Sequence, residues 1–326
     1  MSICFTRAGL QTSVQDCGRP GLMHYGIPPG GAADPLAMTL ANLILGNVTN
    51  NPVIEITLTG PRIEFACDIS IAITGARFKV TLNGNAVNNF ETIQIQRGDT
   101  LDFAQLISGA RAYIGFSGKM VVPELLGSVS THLISHFGGH RYGAIKAGDT
   151  IDFCNIRTAK TVRLAPQFHL HYTPHPQFRV VSGPDKLLFD NDTVEQFYHT
   201  TYTVSAQSNR MGIRLHPPST SSPPARNERV FEQMVSSGLY PGSIQIPPDT
   251  EPIIAFVEGQ TIGGYPRIAH VIKADRHRLG QLKAHDKISF HPVGLAQATR
   301  ILREKYQRLS ELQQSLATDS KVSLML

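Results

Sequence analysis

Short apolar runs broken by turn residues dominate this chain. Val53–Leu58, Ile69–Thr74, Phe78–Leu82, Ile93–Gln96 and Thr100–Phe103 follow one another with Gly, Asn and Pro between them. Runs of roughly four to eight residues at such close spacing predict strands of a barrel or sandwich rather than βαβ units. Asn83-Gly84 follows Lys79–Leu82 and predicts a tight hairpin, because both central residues of a type I′ turn need positive φ. One early segment has the other period. Asp34–Leu45 is apolar at Leu36, Leu40, Leu43 and Ile44, which predicts a helix. Asp34 suits its N-cap, Pro35 its first position, and Gly46-Asn47 its left-handed exit.

The pattern also repeats. Gly98-Asp-Thr-Leu-Asp-Phe103 returns as Gly148-Asp-Thr-Ile-Asp-Phe153, and a weaker copy is His285-Asp-Lys-Ile-Ser-Phe290. Each reads as a tight turn feeding an alternating strand, so similar β-subdomains closing with the same unit are expected. Alternation places the repeated carboxylates on the solvent face rather than pairing them for acid–base work. Pro166–Pro176 carries three Pro and three His and reads as a linker. Pro217–Pro224 reads as a mobile surface loop. From Gly294 the chain turns helical, with Leu302, Tyr306, Leu309, Leu312 and Leu316 on one packing face. A loose end is expected from Ala317. The expected organisation is therefore a β domain over 1–165, a linker over 166–178, a second β domain over 179–293 and a helical tail over 294–326.

Composition sharpens this reading. The 326 residues include 28 Gly and 21 Pro but no Trp, with 41% hydrophobic and 17% charged residues. That excludes disorder, coiled coil and collagen. A chain this long buries about three quarters of its unfolded surface and needs no metal or disulfide staple. The net charge of +5 is dispersed, so no nucleic-acid partner is implied. Cys4, Cys17, Cys67 and Cys154 form no C-x-x-C pair. Neither a secretory apolar region nor a membrane-length apolar stretch is found, and a cytoplasmic protein with free thiols is expected.

Several chemistries fall away. His132, His136 and His140 stand at i, i+4 and i+8, but Gly138-Gly139 breaks any helix that would align them as metal ligands. His169, His171 and His175 sit in the linker, and no metal is expected there either. A G-x-S-x-G elbow and a phosphate-binding G-x-x-x-x-G-K-[ST] loop are both missing. ATP, if used, must be held by another subunit or by an unfamiliar loop. Nor is there an Ala-Met-Lys-Met-like segment to carry biotin.

Three segments retain chemical interest. Residues 9–34 are glycine-rich yet carry Gln15, Asp16, Arg19 and Asp34. Residues 205–215 place Arg210 and Arg214 four apart, and a guanidinium fork suits carboxylate or phosphate. Residues 258–266 set Gly263 and Gly264 beside Thr261 and Tyr265. Each is also ordinary turn chemistry; together they predict an anion-accepting cleft between β domains.

The same segments resemble a known family over residues 5–293. That family contains the C-type component of 5-oxoprolinase, allophanate hydrolase subunit 2, the sporulation regulator KipA and half of the urea carboxylase carboxyltransferase domain. The resemblance rests on VQDCGRPG at Val14–Gly21, GAAD at Gly31–Asp34, ANLILGN at Ala41–Asn47 with Glu55, and Gly60-Pro61. It continues through SVST at Ser128–Thr131, Gly138-Gly139, KAGD at Lys146–Asp149 and SGP at Ser182–Pro184. It ends with NRMG at Asn209–Gly212 and Arg214, GSIQIP at Gly242–Pro247 and QTIGGYP at Gln260–Pro266.

The resemblance implies a mainly β chain of two cyclophilin-like β-barrel domains with a few short helices and a C-terminal helix. It implies an enzyme subunit acting with a partner similar to KipI or allophanate hydrolase subunit 1, and with a LamB/YcsF-like subunit in some members. The implied activity is ATP-dependent opening of 5-oxo-L-proline to L-glutamate, or hydrolysis of a related amide, with ATP shared with or held by a partner. The alternatives are the carboxyltransferase half of a urea-type carboxylase, using biotin carried elsewhere, and a non-catalytic KipA-like antagonist of a kinase inhibitor.

Carried over by motif, the substrate-binding residues are Gln15, Asp16, Arg19, Asp34, Asn42, Asn47, Glu55, Arg210, Arg214, Gln245, Thr261, Gly263, Gly264 and Tyr265. Asn42 and Asn47 read equally as capping residues, and Glu55 as a buried partner of Arg19. No nucleophile or general base is assigned. Val129 and Gly143 stand where the family pattern has arginine, Asn209 and Glu258 where it has aspartate, and Ser237 where it has glutamate. Two lost guanidinium groups would weaken binding of an anionic substrate markedly if they made charge-assisted bonds.

Overall fold

Several strands run longer than the apolar runs that announce them. The computed structural model describes residues 1–218, 234–248 and 251–318. They form two compact units. The first comprises Met1–Arg19, Gly30–Tyr172 and the described residues from Arg308; the second comprises Pro20–Pro29 and Thr173–Gln307.

The first unit is built on β1 (Ser2–Arg7), β2 (Gln11–Gln15), β3 (Val53–Thr57), β4 (Arg62–Phe65), β5 (Ile69–Leu82), β6 (Asn85–Ala86), β7 (Thr92–Ile95), β8 (Thr100–Phe116), β9 (Lys119–Met120) and β10 (Thr150–Cys154). These form one ten-stranded sheet, with β2-β3-β8-β4-β1-β10-β9 as its path and β5, β6 and β7 joined through β5. The sheet curls into a half-barrel, so one of the two expected barrels stays open. Ile3, Phe5, Ile54, Ile56, Ile73 and Phe116 fill its core with essentially no exposure.

The runs Ile69–Thr74 and Phe78–Leu82 are one strand, not two. Gly75, at φ +81, forces a register shift there, and a Cβ on it would sit 2.5 Å from the Arg111 carbonyl oxygen. The run at Thr100–Phe103 is only the start of β8, because residues 104–110 lack clean alternation. Asn83 and Gly84 take φ +52 and +84 and make the expected hairpin between β5 and β6. The helix spans Pro35–Ile44, with Asp34 accepting from the Ala37 amide at 3.0 Å and Gly46 at φ +64 behind it. In the same unit Leu309, Leu312 and Leu316 pack with Leu40, Leu43 and Phe90. The expected linker is partly structured: Pro166–Phe168 is a 3-10 turn, and His169 stacks on Phe90 with ring centroids 4.6 Å apart.

The second unit holds β11 (Gln177–Ser182), β12 (Tyr202–Val204), β13 (Gly212–His216), β14 (Ser237–Gly238), β15 (Ser243–Gln245), β16 (Ile253–Ala255), β17 (Ile262–Gly263), β18 (Arg267–Val271) and β19 (Lys287–Pro292). Seven of these close a barrel in the order β11-β18-β15-β16-β13-β12-β19, and β14 pairs with β17 beside it. A helix at Asn191–His199 is capped by Asp190, which accepts from the Thr193 amide at 2.6 Å. Only Thr193, Val194 and Phe197 are buried in it, too few to announce it by periodicity. The C-terminal helix runs Leu295–Thr318, and its Ala298, Ile301 and Leu302 pack on Ile272 and Ala274. Tyr306 does not join the expected packing face: it is 51% exposed, with Lys273 lying over its ring. Most of the Pro217–Pro224 loop and most of the tail from Ala317 lie outside the described residues. Among the described residues no helix is long and apolar enough to cross a membrane.

The sequence repeat is a turn device. Gly98, Gly148 and His285 take φ +96, +89 and +72. The next residue, Asp99, Asp149 or Asp286, accepts through Oδ2 from the amide three residues before it, at 2.7, 2.8 and 3.1 Å. The first carboxylate of each copy thus faces its own turn, not bulk solvent, and Asp149 and Asp286 are 5% exposed. Nothing lies within 4 Å of a Cβ placed on Gly148, so Gly148→Ala tests backbone strain alone. It is expected to cost about 1 kcal/mol in urea unfolding. His285→Gly is expected to stay within ~0.5 kcal/mol, because strain relief is offset by the entropy of a freer unfolded chain.

Candidate functional site

In the first unit, Gln15 ends β2 fully buried. Its Nε2 donates to Ser13 Oγ at 2.9 Å and to the Thr131 carbonyl at 3.1 Å, and its Oε1 accepts from Ser130 Oγ. Asp16 holds the same loop from beneath. Its Oδ1 accepts from Ser128 Oγ at 2.6 Å and from the Gly18 amide at 2.7 Å, and its Oδ2 from the Val129 amide at 2.9 Å. Arg19 is 2% exposed and donates to the carbonyls of Leu125, Ser128 and Ser130 at 3.0, 3.3 and 2.9 Å, with Phe137 4.9 Å beneath its guanidinium. Gly138 is required here, since a Cβ would sit 2.4 Å from Arg19 Nη2. These three motif residues therefore converge on the 125–131 loop.

Glu55 belongs to a neighbouring network, so the expected Glu55–Arg19 pairing gives way to another one. Glu55 Oε2 accepts from the Ala33 amide and from Tyr113 Oη, both at 2.8 Å, and Arg111 Nε lies 3.6 Å from Oε1. Tyr113 Oη also accepts from the Asp34 amide at 2.7 Å. Asp34 caps the helix through Oδ1 and accepts from Tyr172 Oη through Oδ2 at 2.7 Å. Burial first, then the Glu55 and Asp34 carboxylates, push the Tyr113 phenol well above its ordinary range, so it stays a neutral donor.

Asn42, inside the helix, and Asn47, just beyond it, tie down the chain that leaves the helix rather than capping its end. Asn42 Nδ2 donates to the carbonyls of Thr49 and Asn51 at 3.2 and 2.8 Å. Asn47 Nδ2 donates to Asn42 Oδ1 and the Phe116 carbonyl at 3.0 and 2.9 Å.

The two positions lacking arginine differ. Val129 is partly buried and packs against the main apolar core. Gly143 is open, with nothing within 4 Å of a Cβ there, and two residues earlier Arg141 reaches Asp149 Oδ1 at 2.8 Å. The three histidines at 132, 136 and 140 do not share a helix face. His132 stacks on Phe137 with ring centroids 4.6 Å apart, and His140 Nε2 lies 3.7 Å from Asp149. In the same segment His136, Arg141 and Tyr142 join Gly138 and Gly139 at positive φ.

In the second unit Arg210 and Glu258 form an ion pair with side chains 2% and 0% exposed. The Glu258 amide also donates to the Arg210 carbonyl at 2.8 Å, so two loops are pinned together. Asn209 replaces the aspartate of the family pattern without losing its turn: Oδ1 accepts from the Met211 amide at 2.8 Å. Arg214 separates from Arg210 and is exposed on β13. Gln245 Nε2 donates to the Tyr265 carbonyl at 3.1 Å, and a Cβ on Gly263 would lie 2.7 Å from that nitrogen. The buried Thr261 gives its carbonyl to the Leu239 amide at 2.8 Å, Gly264 is half-buried and Tyr265 is 42% exposed.

Ser128, Ser130, Tyr113 and Arg111 carry much of this geometry, yet sequence reasoning does not single them out. The two serines lie inside a quoted motif. Tyr113 and Arg111 lie in the unannounced half of β8, and no local signal marks them.

The buried frames, the curled sheet and the closed barrel define a carboxyltransferase-type β architecture. Residues 25–292 match the family described as "Carboxyltransferase domain, subdomain A and B", and the chain belongs to that family. It is 34% identical over 306 residues to the C-type component of the Escherichia coli 5-oxoprolinase, covering 94% of this chain and 96% of that protein. It is also 34% identical over 318 residues to the urea amidolyase of Saccharomyces cerevisiae, covering 93% of this chain but only 17% of that protein. The Kluyveromyces lactis urea carboxylase crystal structure superposes with a TM-score of 0.86 at 28% identity, covering 99% of this chain and 30% of that one.

Proposed function

We propose that this chain is the C-type component of a 5-oxoprolinase, which opens 5-oxo-L-proline to L-glutamate with ATP in a multi-subunit cytoplasmic complex. The observation that carries the reading is the match to the C-type 5-oxoprolinase component of Escherichia coli over 96% of that protein's length. The partners in this reading are a subunit similar to KipI or allophanate hydrolase subunit 1 and a LamB/YcsF-like subunit. A second reading, carboxyl transfer from biotin to urea, is favoured by the likeness to urea amidolyase and urea carboxylase. In it, the biotin is carried by another chain or domain.

Residues 1–165 and 179–293 act as the two subdomains in either reading. Gln15, Asp16, Arg19, Asp34, Asn42, Asn47 and Glu55 make the rigid frame in the first, and Arg210, Gln245, Thr261, Gly263 and Gly264 in the second. Arg214 and Tyr265 supply exposed groups that substrate can meet. The Arg19 and Arg210 guanidinium groups already face carbonyls and Glu258, which supports reading them as framing groups rather than phosphate ligands. This reading places ATP on a partner subunit.

The test mixes the chain with its neighbouring subunits, ATP and 5-oxo-L-proline, and measures glutamate. Release that stops when this chain is omitted is expected. A well-formed complex that releases none would sink the reading, and chain-dependent carboxylation of urea by a biotin-carrying complex would support the second one.

A further inference from the structure

One face of the closed barrel carries polar groups that the reading above leaves unused. Ser243 on β15 and His270 on β18 are register partners, on the face opposite the buried pair Ile244 and Ala269. Ser243 Oγ lies 3.2 Å from His270 Nδ1. The serine hydroxyl has no other acceptor among the contacts of the described residues, so donation to Nδ1 satisfies both groups. With the serine as donor, the ring proton sits on Nε2. No protein acceptor engages Nε2 among the described residues, and the imidazole is half-buried at the surface of the barrel.

A fixed positive charge stands beside it. Gly242, at φ +100, admits the Arg276 side chain: a Cβ there would lie 3.0 Å from Arg276 Cδ. The guanidinium stacks 4.9 Å over the Tyr240 ring and donates through Nη1 to the Pro241 carbonyl at 3.1 Å. Its buried Nε has no hydrogen-bond partner among the described residues. Tyr240 in turn faces His270 with ring centroids 6.3 Å apart. Burial first, and Arg276 second, lower the His270 pKa to about 4. The ring is therefore neutral at pH 7 and presents an N–H rather than a charge. On the same strand as Ser243, Gln245 ties down the segment ending at Tyr265.

We propose that His270, oriented by Ser243 and backed by Arg276, donates its Nε2–H to the carbonyl oxygen of a small amide substrate, a lactam or a urea. A neutral imidazole N–H keeps its proton while it strengthens its bond to an oxygen gaining negative charge. Arg276 adds positive potential without contesting the proton. His270 is then a catalytic residue, and Ser243 a positioning residue. The substrate class rests on the functional reading above, whereas the tautomer and the open donor rest on geometry alone.

The test uses the full chain with 15N-labelled histidine. The His270 ring is expected to show Nε2 protonated from pH 5.5 to 8, and Ser243→Ala to mix the tautomers. Excess 5-oxo-L-proline or urea is expected to shift Nε2, with acetate doing so less. In the assembled complex, His270→Ala is expected to lower kcat about 10²-fold, with His270→Gln retaining more. A ring protonated on Nδ1, an Nε2 signal that only acetate moves, or full activity in His270→Ala would each overturn the inference. A wild-type complex that turns over neither amide would count against the functional reading instead, and the nitrogen spectra would then decide the His270 site by themselves.

Discussion

Replacing Arg210 with Met is expected to destabilise the protein by about 3–5 kcal/mol, because it leaves Glu258 buried beside an uncharged side chain. Both side chains are almost completely buried, so water cannot take over the lost interaction. Glu258→Gln is expected to fall in the same range, since it removes the carboxylate charge from beside a buried guanidinium. The double variant Arg210→Met with Glu258→Leu removes both charges together, and much of the loss is expected to return. Urea unfolding of the four proteins gives the coupling directly. Single variants within ~1 kcal/mol of wild type would show that the pair is not the pin between its loops. The same experiment separates two roles for Arg210. A substrate-binding arginine would lose activity with stability intact, whereas a framing arginine loses stability first.

That separation matters because the residue types are legible in the sequence while their roles are not. Asp34-Pro35 and Asn83-Gly84 announce a helix start and a hairpin because each solves a local problem with its own side chain or dihedral. The six-residue repeat announces itself for the same reason: it is a self-contained turn. Gln15, Asp16 and Arg19 stand out as a group, but their partners lie more than 100 residues away, at 125–131, and no local pattern encodes that meeting. Glu55 reads as a partner of Arg19 because both are buried and opposite in charge. The structure instead gives it Arg111 and Tyr113, which reach it across β3 and β8. The Ser243–His270 pair shows the limit most clearly, since it exists only through the register of β15 against β18. The departures from the family pattern also acquire meanings. Asn209 preserves a turn, Glu258 pairs with Arg210, and Val129 fills core space.

Arg19→Met is expected to cost about 1–3 kcal/mol and to loosen the 125–139 segment selectively. The substitution strips donors from the carbonyls of Leu125, Ser128 and Ser130; Leu125 and Ser128 keep each other's backbone amides, so the Ser130 carbonyl carries most of the loss, about 1–3 kcal/mol for a buried acceptor deprived of its donor. The apolar stem of Met can still cover Phe137, so packing is largely kept and the loss reads mainly on hydrogen bonding. Arg19→Lys is expected to be intermediate: an ammonium has donors enough, but it lacks the planar fork that reaches separated carbonyls and stacks on a ring. Asp16 keeps its hold on Ser128 and Val129 in either variant, so the loop is expected to open locally rather than unfold the whole sheet. Native-state hydrogen exchange checks this, through faster exchange at the Thr131 and His132 amides with the β5–β8 amides unchanged. Uniform acceleration across the sheet would mean that Arg19 supports the whole unit. No acceleration in a stable but inactive variant would mean that its guanidinium meets substrate after all. The graded Met and Lys series decides among the three, because only the framing role ties the loss of protection to the number of carbonyls still reached.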